Sequence, residues 1–318
     1  MDNGGLPALE LECRFSNDVV TISSVPIKEP TTTKEIDKSI KFISNILKKQ
    51  PIESLDDLDD ILLKKIDLKE PNQKMIALGV SINWLKALAD QDKIPVYKYI
   101  ASLIGNRNII VPRLIKHINV RNRKILIANR GDINVRKIIN EWDRVDRAYN
   151  NIIHNAWDQE STEHKIISEI QSRPCLKIGL EGNIDTLSKS LIDVSSILSN
   201  IAPNNDWKTL SEIKKLYGNK KIIAADYTGH KSEHVFTNAG IFNPYLFTSV
   251  NKLVDSVSRA HRLGQKVIIR PGSRQTEDPI TVDIAMGLGA EYFDLKNDRI
   301  YYPLVNKLIR IEEDIAHG

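Results

Sequence analysis

The sequence predicts an α/β fold, a (β/α)8-type barrel preceded by a small α+β unit. Three observations predict it. Beyond residue 105, short apolar runs of strand length alternate with amphipathic helical stretches, the pattern of a parallel sheet. About eight such runs fit in that length, enough to close a barrel at the low end of its usual size. Before residue 105 the pattern differs: a hairpin and then helices only.

The hairpin is read over residues 1–28. Leu9, Leu11 and Cys13 alternate with polar residues, and Val19-Val20-Thr21-Ile22 is rich in β-branched side chains. Pro26, Pro30 and Thr31-Thr32-Thr33 mark a loop, with Thr33 as the N-cap of a helix over 34–49 whose Ile36, Ile40, Ile43 and Leu47 share a face. A second helix, 53–66, begins with acidic residues that suit its N-terminal dipole. A third, 71–90, aligns Ile76, Val80, Trp84 and Leu88, and Pro95 opens a short fourth that ends near Gly105. Strand-like runs then fall at 109–118, 124–128, 175–180, 195–202, 220–226, 239–246, 266–270 and 291–295. Helices are expected at 132–157, 206–217, 232–238, 249–263, 277–288 and 301–315. The first two barrel strands follow one another directly. Two domains are expected, 1–104 and 105–318.

Composition excludes several classes. At 318 residues the chain can bury a large core. It has no apolar run long enough to span a bilayer and no secretory leader pattern, so a membrane partner is not expected. Two cysteines, Cys13 and Cys175, give no disulfide framework and suit a reducing, cytoplasmic setting. A net charge of +4 is too mild to call for nucleic acid.

The carboxy-terminal third carries the most specific pattern: Thr276-Glu277-Asp278-Pro279, Asp283-Ile284-Ala285-Met286-Gly287-Leu288-Gly289, and Asn306-Lys307-Leu308-Ile309-Arg310-Ile311-Glu312-Glu313-Asp314. In order and spacing it resembles the closing signature of the enolase family. Weaker patches follow the same order along nearly the whole chain. They are Asp2 to Glu12, Ile76 to Ser81, Ile94 to Ala101, Lys177-Ile178-Gly179-Leu180-Glu181 and Ala224-Ala225-Asp226. The resemblance implies an amino-terminal capping domain on a barrel that starts ββαα, and a dimer. It also implies dehydration of 2-phosphoglycerate to phosphoenolpyruvate with magnesium, in glycolysis.

Carried over residue by residue, the resemblance gives a dismantled site. Of three magnesium carboxylates, the first falls on Glu181 and the third on Asp226. The second falls in Asn200-Ile201-Ala202-Pro203, which has none. The lysine base falls on Asn243, an amide. The substrate-gripping H-R-S falls on Pro271-Gly272-Ser273, and a following lysine on Asp294, a charge reversal. The segments that supply the acid fall in a deletion between Arg130 and Cys175, and the lid after the hairpin is absent. The expectation is therefore a binding or scaffolding homologue without the activity. It needs no cofactor, or holds magnesium weakly at Glu181 and Asp226, and has a protein or an anionic small molecule as partner. The alternative is an active or repurposed lyase of the same superfamily.

Other constellations stay open. Arg270, Ser273, Arg274 and Lys266 are read as a cluster at the end of the seventh barrel strand. They form either an anion pocket or a structural set neutralised by Glu277 and Asp278. The stretch from His230 to His234 matches H-x-x-E-H, a zinc pattern with Asp226 nearby. A solvated polar loop is the preferred reading. Arg113, Lys116, His117, Arg121, Arg123, Lys124 and Arg130 read as a solvated basic face, with an acidic partner as the functional alternative.

Overall fold

In the computed structural model, strand β1 (Ala8–Arg14) pairs antiparallel with β2 (Val20–Pro26), and each alternates an apolar and a polar face. The structure describes residues 8–16, 18–27, 31–48, 50–67, 69–120, 123–131, 134–154, 159–187, 189–202, 206–227, 236–272, 276–295 and 301–317. Helices α1 (Thr33–Leu47), α2 (Leu55–Lys65), α3 (Pro71–Gln91) and α4 (Val96–Leu103) follow the hairpin. Both α1 and α2 start with a capping box. Thr32 with Glu35 and Ser54 with Asp57 each satisfy otherwise orphaned N–H groups. The first cap is therefore Thr32, one residue before the expected Thr33, because only Thr32 has its partner glutamate three residues on. Helix α3 is buried from Ile76 to Asn83 and is the axle of this unit. Asn83 Nδ2 donates to the Leu11 carbonyl and Ser23 Oγ to the Gly79 carbonyl, which fixes the sheet on the helix.

Eight strands close a barrel in the order β10-β3-β4-β5-β6-β7-β8-β9. Strand β3 (Arg113–Val120) pairs antiparallel with β4 (Arg123–Asn129), and β4 antiparallel with β5 (Leu176–Glu181). Strands β6 (Ile197–Ser199), β7 (Ile222–Asp226), β8 (Ala239–Phe242), β9 (Lys266–Ile269) and β10 (Tyr292–Asp294) continue in parallel and return to β3. Helices α5 (Val135–His154) and α6 (Gln159–Gln171) both lie between β4 and β5, so the barrel opens ββαα. The sequence reading missed α6, whose Ile166, Ile167 and Ile170 are buried at helical spacing. Helices α7 (Lys189–Val194), α8 (Trp207–Tyr217), α9 (Val250–Arg262), α10 (Ile280–Gly287) and α11 (Tyr301–His317) complete the outer layer. The expected strand at 195–202 shrinks to three residues, because Asn200 turns into the left-handed region at φ 47°. The helix expected from Glu277 starts at Ile280 instead: Thr276 Oγ1 donates to the Ser24 carbonyl, and Asp278 Oδ1 accepts from Ile280 N.

The hairpin unit and the barrel share packed surface. Gly287 lies so close to α4 that an added Cβ would meet Ile100 Cβ at 2.5 Å and the Tyr97 carbonyl at 2.7 Å. Ser249, the cap of α9, donates through Oγ to Asp59 Oδ2 at 2.7 Å, and Val250 N donates to Ser81 Oγ. Lys86 on α3 reaches Asp278 at 2.8 Å. Among the described residues, no helix is long and apolar enough to cross a membrane.

Candidate functional site

Side-chain alternation decides which residues meet inside the barrel. Ile115, Leu126, Ile197, Ile241, Ile268 and Tyr292 belong to a buried cluster of their own, separate from the large core under the helices. A Cβ on Gly179 would meet Leu126 Cβ and Ile197 Cβ at 3.0 Å, so Gly179 faces that interior. Residues two positions away on each strand share its face. At the carboxyl ends these are His117 on β3, Glu181 on β5, Ser199 on β6, Asp226 on β7 and Asp294 on β10. Asn243 and Arg270 follow β8 and β9, and Lys124 opens the antiparallel β4. This is the end at which barrel enzymes place their active sites.

Arg270 organises the layer. Its Nε donates to Asp294 Oδ2 at 2.5 Å and its Nη2 to Ser199 Oγ at 3.1 Å. Nη2 also lies 2.9 Å from Glu181 Oε2, and Nη1 lies 3.9 Å from Asp226 Oδ1. His117 Nε2 donates to Asp294 Oδ1 at 2.8 Å, and its Nδ1 is 4.0 Å from Glu181 Oε2. Lys124 Nζ reaches Glu181 Oε1 at 3.4 Å. Arg270, His117 and Asp294 are buried, whereas the Asp226 side chain is 60% exposed.

Burial alone would raise the Asp294 carboxyl. The charges of Arg270 and His117, with their hydrogen bonds, overcome it and hold the group well below the usual carboxylate range. Burial likewise opposes the Arg270 charge, and Asp294, Glu181 and Asp226 more than offset it, so the guanidinium is held firmly protonated. Glu181 and Asp226 do not sit on neighbouring strands, since β6 separates them; Arg270 reaches from β9 to both. Asp294 does not present a free negative charge toward the mouth, and Arg270 is neutralised by Glu181, Asp226 and Asp294 rather than by Glu277 and Asp278.

Asn243 stands just after β8, which ends at Phe242 rather than at the expected 246, with Oδ1 accepting from Tyr245 N to cap a single 3-10 turn. Gly272 permits its approach: a Cβ there would meet Asn243 Nδ2 at 2.9 Å. Ser273, Arg274 and His230 to His234 lie outside the described residues, as do Arg121 and the side chain of Arg123. Lys266 does not join Arg270; it opens β9 at the opposite end of the barrel. The basic run is likewise no single solvated face. Lys116 points outward to pair with Asp146 on α5, His117 points inward, and both are buried. His117, Lys124 and Ser199 are site residues the sequence reading missed. The signal was the two-residue period through Arg113, Ile115 and His117.

Among the described residues, no group of three His, Cys, Asp or Glu side chains is arranged to hold a metal ion. A cavity of about 1110 Å³ lies elsewhere, between β1, α1 and α3, lined by Ile40, Leu47, Trp84 and Leu88.

No family model matches the chain. Among curated proteins it is similar to the enolase of tomato, Solanum lycopersicum. Identity is 21% over an alignment of 419 positions that takes in 99% of this chain and 93% of the relative. The alignment is far longer than the 318 residues present, so the relative carries segments that this chain lacks. The similarity is distant, spans nearly the full length and is compatible with the mixed eight-stranded barrel.

Proposed function

We propose that this chain is an enolase-like homologue that has lost 2-phosphoglycerate dehydratase activity and works by binding rather than by catalysis. The observation that carries the reading is the position of Arg270. Its guanidinium lies between Glu181, Ser199, Asp226 and Asp294, where the resemblance calls for a divalent ion held by carboxylates. A fixed cation within 4 Å of both surviving ligand carboxylates repels a second one and already neutralises them, and Ser199 adds no charge. The donor set therefore fits magnesium poorly. Asn243, at the base position, cannot accept a carbon-bound proton, because its amide is not basic and its oxygen already caps a turn.

Conversion of 2-phosphoglycerate, followed by the ultraviolet absorbance of phosphoenolpyruvate with magnesium present, tests the reading. The expected result is no turnover above background. A rate within about a hundredfold of a typical enzyme would overturn it in favour of the lyase alternative.

A further inference from the structure

The opposite rim of the barrel holds four cations that the upper site does not use. Arg113 begins β3, Lys177 stands at the start of β5, Lys266 begins β9, and Arg130 follows the antiparallel β4. Each is two residues from an interior position: Ile115, Gly179, Ile268 and Ala128 respectively. The strand register brings them to one end, since Tyr292 pairs with both Arg113 and Ile268, and Ala128 with Lys177. The Arg130 backbone continues the ladder by donating to the Cys175 carbonyl at 2.7 Å.

Among the described residues, none of the four has a carboxylate within ion-pair distance. Arg113 Nη1 donates to the Tyr292 hydroxyl at 3.3 Å, and Arg130 Nε donates to the Leu176 carbonyl. Glu291, a carboxylate on the same rim, accepts through Oε2 from Val267 N at 2.6 Å. Burial, and then repulsion by Arg113, Arg130 and Lys266, lowers the Lys177 ammonium from its ordinary range. Folding has thus gathered like charges around one axis and left their mutual repulsion standing, a cost that a bound anion would relieve.

We propose that the amino-terminal rim of the barrel, formed by Arg113, Arg130, Lys177 and Lys266, is a binding site for a compact multivalent anion of the phosphate or pyrophosphate class. Their grouping favours a compact ligand over a nucleic acid strand. The cations stand on one arc of the rim, at β9, β3, β4 and β5, and Tyr292, whose ring lies against Arg113, is buried and gives bases no stacking surface. The site stands at the other end of the barrel from Arg270, so it holds whether or not the upper mouth is catalytic.

Titration calorimetry of the full chain with inorganic phosphate and with pyrophosphate, at low ionic strength, tests the proposal. Pyrophosphate is expected to bind more tightly than phosphate and to weaken with added salt. Lys177→Met and Lys266→Gln should each reduce its affinity about tenfold. Lys124→Gln, which removes one exposed cation at the opposite mouth, should leave it unchanged. If Lys177→Met fails to fold, acylation of Lys177 in the unaltered protein provides the reading, and pyrophosphate should slow it. The proposal is overturned if neither anion binds, if Lys124→Gln weakens binding as much as Lys266→Gln, or if only an oligonucleotide or an acidic peptide binds.

Discussion

Arg270 and Asp294 stand at the ends of adjacent strands, and the guanidinium Nε donates to the carboxylate Oδ2 at 2.5 Å with both side chains withdrawn from water. Such a pair contributes little net stability over apolar residues of the same shape, but breaking it leaves a bare charge in the interior. Arg270→Met should therefore cost about 3–5 kcal/mol, since it takes a cation away from beside both Asp294 and Glu181. The double variant Arg270→Met, Asp294→Leu should recover much of that loss. Urea unfolding of the four species in a double-mutant cycle gives the coupling directly, and strictly additive losses would show that the two residues do not act as a unit.

The same geometry predicts indifference to magnesium. A ligand that binds only the native state raises its stability by RT ln(1 + [L]/Kd). With the Arg270 guanidinium already between Glu181 and Asp226, 2-phosphoglycerate with magnesium at about ten millimolar should raise the melting temperature by less than about one degree, and a chelator should not lower it. A rise of several degrees that disappears in Asp226→Asn would mean that the cation can be displaced and the ligand set still works.

The barrel was legible because its strands carry a strong period. Ile115, Ile125 and Ile178 are apolar at positions set by the fold, and the alternation with amphipathic helices needs no tertiary knowledge. The site was less legible, for reasons that particular residues show. Arg270 reads in sequence as one of several cations beside Arg274 and Lys266. Only the strand direction puts Lys266 at one rim and Arg270 at the other, four residues apart. Asp294 reads as a charge reversal facing a ligand, and only closure of the barrel between β10 and β3 brings His117 to it, 177 positions away. Ion pairs across a closed sheet leave no local trace.

Gly287, within the segment that most resembles enolase, is a packing residue. Its missing side chain lets α10 lie against α4, with Ile100 Cγ2 at 2.7 Å from where a Cβ would stand. The obstacles are a branched side chain near its root and a backbone carbonyl, neither of which can swing aside. Gly287→Ala should destabilise by about 1–3 kcal/mol or more through overpacking, against the roughly 0.5–1 kcal/mol gain expected at an open helical glycine. Ile100→Ala in the same background should restore part of the loss. A Gly287→Ala variant as stable as the parent would show that the two helices can separate without cost.

Asp283, on the same helix, gives a prediction about pH. Burial raises its carboxyl from 3.8 to about 6, with Asp278 adding to the rise and Lys307, 3.1 Å away, and Lys86 opposing it. Between those two values the folded chain holds a proton that the unfolded chain has released. The stability due to this group is therefore present in full below pH 4 and is lost as pH rises through 6, opposite to the behaviour of Asp294. Asp283→Asn keeps the shape and cannot ionise. Relative to the unaltered chain, it should gain up to about 3 kcal/mol between pH 4 and pH 7.5, the free energy that corresponds to a carboxyl raised from 3.8 to about 6. Denaturant unfolding of both proteins across that range isolates the effect, because every other titrating group is common to the two. A constant difference would mean that Lys307 offsets burial and leaves the Asp283 carboxyl at its ordinary value, and a difference that moved the other way would place it below that value.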